Sequence, residues 1–210
     1  DASKTENYGA ISIFKTAENS SVAVNGGEII VSDDSVAISN GIPSASYTVN
    51  GTVGADKVQN VIAYVGDAGY TTLADAINAA KDGATVDLYA SVTLDTLIKI
   101  EKSITLNLNG NTVTANTRKA FEIYANVTIQ NGTIKAQARC IDTRTAVNLT
   151  LNSVSLVADK YYNENQQPLT IGGYDNGTAV TMNNVTINAG TQGYCITTFV
   201  KTTLNAVDSV

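Results

Sequence analysis

The chain has 210 residues, 43% of them hydrophobic, with 13 Lys plus Arg against 19 Asp plus Glu, a formal charge of −6 and no His. That apolar content is enough to bury a core, while the acidic balance and the absence of any Lys/Arg cluster remove the phosphate-neutralising face that nucleic-acid binding needs. The commonest general base and zinc ligand is missing, and no apolar run reaches the length of a membrane span.

From Asp1 the opening residues carry no charged and then apolar leader, so a mature or excised segment is expected. Alternating apolar phrases closed by an amide follow, at Val22-Ala23-Val24-Asn25 and Thr48-Val49-Asn50, with Val36-Ala37-Ile38 between them. These predict short strands in coil-like sequence over residues 1–53. Residues 54–69 are expected to be a linker. At Tyr70 the period changes: Leu73, Ala76, Ile77 and Ala80 stand at helical spacing, Thr72 is placed to cap, and Asp75 is the acid of a capping box. A helix near residues 72–81, stopped by Gly83, is predicted to cover the open end of a core.

Strand alternation resumes at Ala84 and runs to a third amide marker, Asn109. Later phrases end at Gln130, Asn152, Asn183 and Asn205, spaced by 21, 22, 31 and 22 residues, while Asn25 and Asn50 are 25 apart. A second series of phrases falls between the markers, at Phe121-Glu122-Ile123, Cys140-Ile141, Leu169-Thr170-Ile171 and Cys195-Ile196. Repetition at this period, with two or three short strands in each, implies a parallel β-solenoid in which no coil is stable alone. Residues at one phase of successive coils then lie above one another. Like charges would repel there, whereas amides hydrogen-bond along the column, so the recurring amide reads as a structural ladder.

The run TTLADAINAAKDGATVDLYASVTLDTLIKIEKSITLNLNGNTVT, residues 71–114, resembles the start of right-handed parallel β-helix domains of the pectin-lyase-like superfamily. More narrowly it is similar to the versions found in large bacterial cell-surface and adhesin-type proteins. NVTIQNGTIKA and AVTMNNVTINAG resemble ordinary coils of that fold. The resemblance implies an all-β, right-handed parallel β-helix with one short capping helix, and an extracellular, cell-surface location. Enzymes of the superfamily cleave acidic polysaccharides with Asp and Arg or Lys on one strand face. The polygalacturonase pattern needs a His, and lyase-type calcium clusters are not visible, so no catalytic, cofactor-binding or metal-binding residue is assigned and no cofactor is expected.

Coil-like sequence before the helix makes the chain read as if circularly permuted, with residues 1–53 resembling the end of a solenoid and 70–210 its beginning. From Asn205 across a notional junction to Asn25 is 30 residues, within the range of the other spacings. The expectation is that residues 1–53 complete a neighbouring copy, giving a head-to-tail homopolymer or tandem repeat. Ile11, Ile13, Leu204, Val207 and Val210 are the candidate end-to-end contacts.

Three further groups are singled out. Cys140 and Cys195 occupy matching phases two coils apart, too far for an unstrained disulfide, and are expected to be two buried thiols. Asp142 shares a strand face with Arg144 and lies near Arg139; it is expected to be a surface ion pair, with recognition of an acidic sugar as the functional alternative. The longest coil carries DKYYNENQQP, whose Tyr161, Tyr162, Asn163, Asn165 and Gln167 are the candidate residues of a glycan-contact loop. A structural filament subunit is thus the favoured function, with a polysaccharide-binding or polysaccharide-degrading module as the alternative.

Overall fold

The computed structural model describes residues 11–13, 20–24, 29, 37–41, 46–49, 58–158, 166–173, 176–190 and 193–210. The chain forms a β-solenoid of about 7 turns, with one short helix. Its main body has a five-stranded parallel sheet made of Ile98–Ile100, Lys119–Ile123, Arg139–Thr143, Leu169–Ile171 and Ile196–Thr198. A larger sheet bends around the rest of the coil, and its long strands Val127–Ala136 and Asn148–Ala158 each serve two faces.

Period-two alternation sends one side chain of each pair inward, where it meets the same phase of the next coil. Ile104, Val127, Leu149 and Val180 form one such column, and Leu106, Ile129, Leu151 and Met182 another. Every one of these side chains is buried. Adjacent coils hydrogen-bond through their backbones, so core and ladder are built by the same stacking step.

The two long strands turn their corners at Asn131 (φ 58°) and Ser153 (φ 52°), and Asn184 (53°) and Asp208 (49°) take the same conformation in the coils that follow. Asn, Asp and Ser suit these positions because a short polar side chain tolerates the left-handed region. The coil at 107–112 differs. Asn107 pairs with Gln130 and Thr112 with Thr133, so two extra residues are accommodated there. They form a tight turn in which Asn109 (φ 48°) and Gly110 (φ 81°) are followed by an Asn111 N–H to Leu108 O bond of 2.8 Å. The turn fits only because residue 132 is glycine: a Cβ there would stand 2.5 Å from Leu108 Cβ and 2.6 Å from Asn111 O.

The helix spans Leu73–Ala79 and buries Leu73, Ala76 and Ile77 against the first strands of the body. Thr72 caps it: its Oγ1 accepts from the Asp75 N–H at 3.1 Å and donates to Asp75 Oδ2 at 2.6 Å. Residues 58–69, expected as linker, instead contain the strands Val58–Asn60, Ala63–Val65 and Ala68–Tyr70. Ala63–Val65 runs antiparallel to Thr85–Leu88, and Ala63 and Tyr64 are buried, because this edge needs a partner once the helix has turned the chain back.

The described amino-terminal strands belong at this same end. Ile11–Ile13, Ile38–Asn40 and Val58–Asn60 form a parallel sheet, and Ser21–Val24 pairs with Ser46–Val49. Asn40 O accepts from the Val61 N–H at 2.7 Å, and Tyr64 Oη donates to Gly41 O at 2.6 Å. These coils therefore stack on the cap of their own chain, and the order reads as one continuous solenoid interrupted by a helix rather than as a permuted one.

Candidate functional site

Two regions differ from the repeating body: the final coil and an ion cluster on the outer face of the five-stranded sheet. In the final coil, Thr202–Val207 pairs, among the described residues, only with Thr178–Asn183, as the terminal strand of the larger sheet. Leu204 extends the inward column of Ile104, Val127, Leu149 and Val180, yet it is 45% exposed. Ile196 likewise ends the column of Ile98, Phe121, Ile141 and Leu169 and is only partly buried. Phe199 and Tyr194 are exposed beside them. Among the described residues no further rung covers this end of the core, whereas one covers every earlier position.

Of the other end-contact candidates, Ile13 is buried and Ile11 half-buried, on the strand that ends the amino-terminal sheet. Val207 and Val210 are exposed but do not continue an inward column. Val207 pairs with Asn183, in the outward amide column, and Val210 bonds around Thr186, an outward position.

The amide column itself runs through Asn107, Gln130, Asn152 and Asn183. Asn183 Nδ2 donates to Asn152 Oδ1 at 2.8 Å, and Asn107 Nδ2 donates to Asp87 Oδ1 at 2.9 Å. Asn109 lies two residues beyond this phase, displaced by the inserted turn, though it still accepts from Asn107 Nδ2 at 2.8 Å. Asn205 pairs with Thr181 rather than Asn183, two residues before the phase. A parallel column of corner residues was not singled out from the sequence. Within it Asn184 Nδ2 donates to Ser153 Oγ, and Asn131 Nδ2 reaches across to Asn107 Oδ1 of the amide column. Its signal was the second polar residue in Gln130-Asn131, Asn152-Ser153 and Asn183-Asn184. Asn25 and Asn50 lie outside the described residues.

The ion cluster centres on Asp142, whose side chain is wholly buried, which corrects the expected surface pair. Asp142 Oδ2 receives Lys119 Nζ at 2.6 Å, Arg139 Nη1 at 3.1 Å and Arg144 Nη1 at 3.6 Å. Its other oxygen, Oδ1, is buried without a hydrogen-bond partner. Glu122, one rung below, accepts from Lys119 Nζ at 2.7 Å and from Tyr124 Oη at 3.1 Å. Burial alone would raise the Glu122 pKa. Lys119, the Tyr124 hydroxyl and Arg144 outweigh it and hold the carboxyl below its ordinary value. Burial likewise works to lower Arg144, but Asp142 and Glu122 keep that guanidinium more firmly protonated.

Arg139, Asp142, Arg144, Thr170, Gly172, Gly173 and Phe199 line a cleft of about 250 Å³ beside this cluster. A Cβ on Gly172 would approach Asp142 Oδ1 to 3.1 Å, so the glycine keeps that side open. The arrangement offers guanidinium donors, one unpaired carboxylate acceptor and an exposed aromatic ring. Among the described residues, no group of three or more His, Cys, Asp or Glu side chains converges on a point.

Cys140 is buried and points its thiol at Ile134 O and Val157 O, whereas Cys195, expected to be buried, is exposed, because among the described residues no rung lies above its coil. Both are free thiols. In the candidate loop, Tyr161, Tyr162, Asn163 and Asn165 lie outside the described residues. Gln167 donates its N–H to Ala138 O, and its side-chain Oε1 is buried without a partner. No family model, curated protein or solved structure matches the chain.

Proposed function

We propose that this chain is a structural building block of an extracellular, cell-surface filament or stalk, in which solenoid ends meet head to tail. The observation that carries the reading is the burial along one inward column. Ile104, Val127, Leu149 and Val180 are closed by the coil that follows each of them, whereas Leu204 is 45% exposed and shares its end with Phe199. A parallel strand edge over an open apolar core is a template for another strand, and a coil of matching phase is its natural occupant. A head-to-tail contact between identical units propagates into an open fibre. The resemblance of residues 71–114 to pectin-lyase-like β-helix domains of bacterial surface and adhesin-type proteins supports the location.

Negative-stain microscopy of concentrated protein, with light scattering across a dilution series, tests the assignment. Fibres of constant width are expected. A monodisperse species of 21.9 kDa at every concentration, with native β content, refutes self-assembly.

A second reading, a polysaccharide-binding or polysaccharide-degrading module, is favoured by the cleft beside Asp142. Its unpaired Oδ1, the guanidinium of Arg144 and the ring of Phe199 suit a sugar bearing both hydroxyl and acidic groups. A glycan array, with polygalacturonate turnover measured in calcium, decides that reading separately.

A further inference from the structure

Six Asn-Gly dipeptides occur in the sequence, and four of them, beginning at Asn40, Asn109, Asn131 and Asn176, lie within the described residues. This dipeptide is chemically labile, because the glycine nitrogen can attack the asparagine Cγ and no side chain on the glycine obstructs the ring that forms. Asn40 is buried, and Gly132 is so enclosed that a Cβ there would stand 2.5 Å from Leu108 Cβ, which leaves the pairs at Asn109 and Asn176. These two are closely matched. Both asparagines are exposed, and both glycines have positive φ (81° at Gly110, 108° at Gly177) with open space around them. Both pairs are also held by another coil: the Gly110 N–H donates to Asn131 O at 2.6 Å, and the Gly177 N–H to Lys201 O at 3.0 Å. Their side chains are held as well, Asn109 Oδ1 by Asn107 Nδ2 at 2.8 Å and Asn176 Oδ1 by the Lys201 N–H at 2.9 Å. A nitrogen whose hydrogen is bonded to a carbonyl does not readily give it up, and a side chain held by its oxygen does not swing onto the next nitrogen. Reaction at either site therefore waits for the holding coil to move away.

What differs is the coil that holds. Asn131 belongs to Val127–Ala136, which has a paired strand on each side. Lys201 leads into Thr202–Val207, which is exposed along almost its whole length and pairs, among the described residues, on one side. Terminal segments open at a far smaller free-energy cost than interior ones. We propose that Asn176 is a self-modifying site, whose conversion to isoaspartate is gated by opening of the final coil and, once complete, releases that coil.

The step balances with water as the only co-reactant. A bond forms from Gly177 N to Asn176 Cγ, the Asn176 Cγ–Nδ2 bond breaks, and the side-chain nitrogen leaves as ammonia with the proton that Gly177 gives up through solvent. Water then opens the ring. Opening at the backbone carbonyl carbon of residue 176 routes the chain through Cβ and Cγ, which adds one methylene to the backbone and leaves a free α-carboxylate. The oxygen that accepted from the Lys201 N–H then belongs to the backbone, and the Gly177 N–H is displaced, so the two bonds that fix Lys201 no longer form together. Opening at Cγ gives aspartate instead, which keeps the geometry. Where copies meet head to tail, a neighbouring coil seated on Thr202–Val207 holds it closed and protects Asn176; this last consequence alone rests on the head-to-tail reading above.

Incubation of the dilute, full 210-residue chain in mildly alkaline buffer, followed by peptide mapping with mass spectrometry, tests the site. Conversion is expected to run at least about tenfold faster at Asn176 than at Asn109, because the open population of the holding coil sets the rate. In guanidinium chloride the two sites should react at similar rates, since no coil then holds either. Amide exchange at Thr202–Val207 should accelerate as isoaspartate accumulates, and stay constant in Asn176→Gln incubated alongside, where closure of the larger ring is far slower. Equal rates at the two sites in the folded chain, faster reaction at Asn109, or no conversion of either over many half-lives of the unfolded chain overturns the proposal. Conversion at Asn176 without faster exchange at 202–207 overturns the release of the coil. Sedimented polymer reports on assembly separately: slower conversion there than in monomer supports coverage of this end by a neighbour. Equal rates, or the absence of polymer, overturn the head-to-tail contact while the modification site stands.

Discussion

Replacing Leu204 by Asp separates the end of the core from its outer surface. Leu204 is 45% exposed on the terminal rung, above the fully buried Val180. Complete burial of a leucine contributes about 1.5–3 kcal/mol, so covering the part still exposed contributes about 0.7–1.4 kcal/mol to a contact between copies. An aspartate forfeits that gain and adds a carboxylate whose desolvation costs several kcal/mol. Together these amount to roughly 4 kcal/mol, which corresponds to about a thousandfold rise in the concentration needed for assembly. Sedimentation of the polymer over a concentration series reads this directly. Within one molecule the same change removes only the half of Leu204 already covered, so the monomer is expected to melt a few °C lower and remain folded. Val207→Asp is the matched control. Val207 lies in the outward amide column, and its aspartate stays solvated after assembly, so assembly is expected to persist. Unchanged assembly of folded Leu204→Asp, or equal loss in both variants, would refute the reasoning.

Gly132→Ala is expected to destabilise the fold by about 1–3 kcal/mol in urea, because the added methyl meets Leu108 Cβ at 2.5 Å and Asn111 O at 2.6 Å in a turn without slack. Tyr64→Phe removes the 2.6 Å bond to Gly41 O and leaves that carbonyl to find another donor. Amide exchange at residues 38–41 should accelerate about tenfold, consistent with a loss of about 1–1.5 kcal/mol, while residues 119–143 keep their protection. Acid should weaken the fold through Glu122. Its folded-state pKa is depressed below the ordinary 4.5, so its contribution is fully present above that value and lost as pH falls through the folded value. Glu122→Gln should flatten that part of the stability–pH curve, measured by urea titration between pH 6 and 2.

Much of the solenoid was legible because its signals are local and repeated. The helix is the clearest case: Leu73, Ala76, Ile77 and Ala80 are the residues the helical period selects, and all four are buried. Thr72 caps the helix as its spacing suggests, while Asp75 accepts from the Thr72 hydroxyl rather than from its backbone N–H, so only the N-cap half of the box is formed. Register was less legible. Asn109 carries the same local phrase as the other markers, but two inserted residues move it out of phase, and only pairing between distant strands reveals the shift. Residues 58–69 were missed for a related reason. Three-residue strands hold too little alternation to register as a pattern, and each is a strand through a distant or folded-back partner: Val58–Asn60 on Ile38–Asn40, Ala63–Val65 on Thr85–Leu88, and Ala68–Tyr70 on Ala63–Val65.

Asp142 exposes a limit in the ladder argument itself. Stacked phases were expected to exclude like charges, yet Glu122 lies directly against Asp142, and Lys119 directly against Arg139. Each column taken alone is repulsive. What reverses the sign is the three-residue offset within each strand, which brings Lys119 to Glu122 and Arg139 to Asp142, while Lys119 also reaches across the rung to Asp142 at 2.6 Å. Four charges thus alternate around a small quadrilateral, and Arg144 adds a fifth from the far side. One rung further, Thr170 takes the place of a charge, and the cluster stops. Among the described residues no carboxylate or cation pairs above it, Asp142 Oδ1 faces the open side of Gly172, and the outer face changes there from an ion network to the hydroxyl column that continues to Thr197.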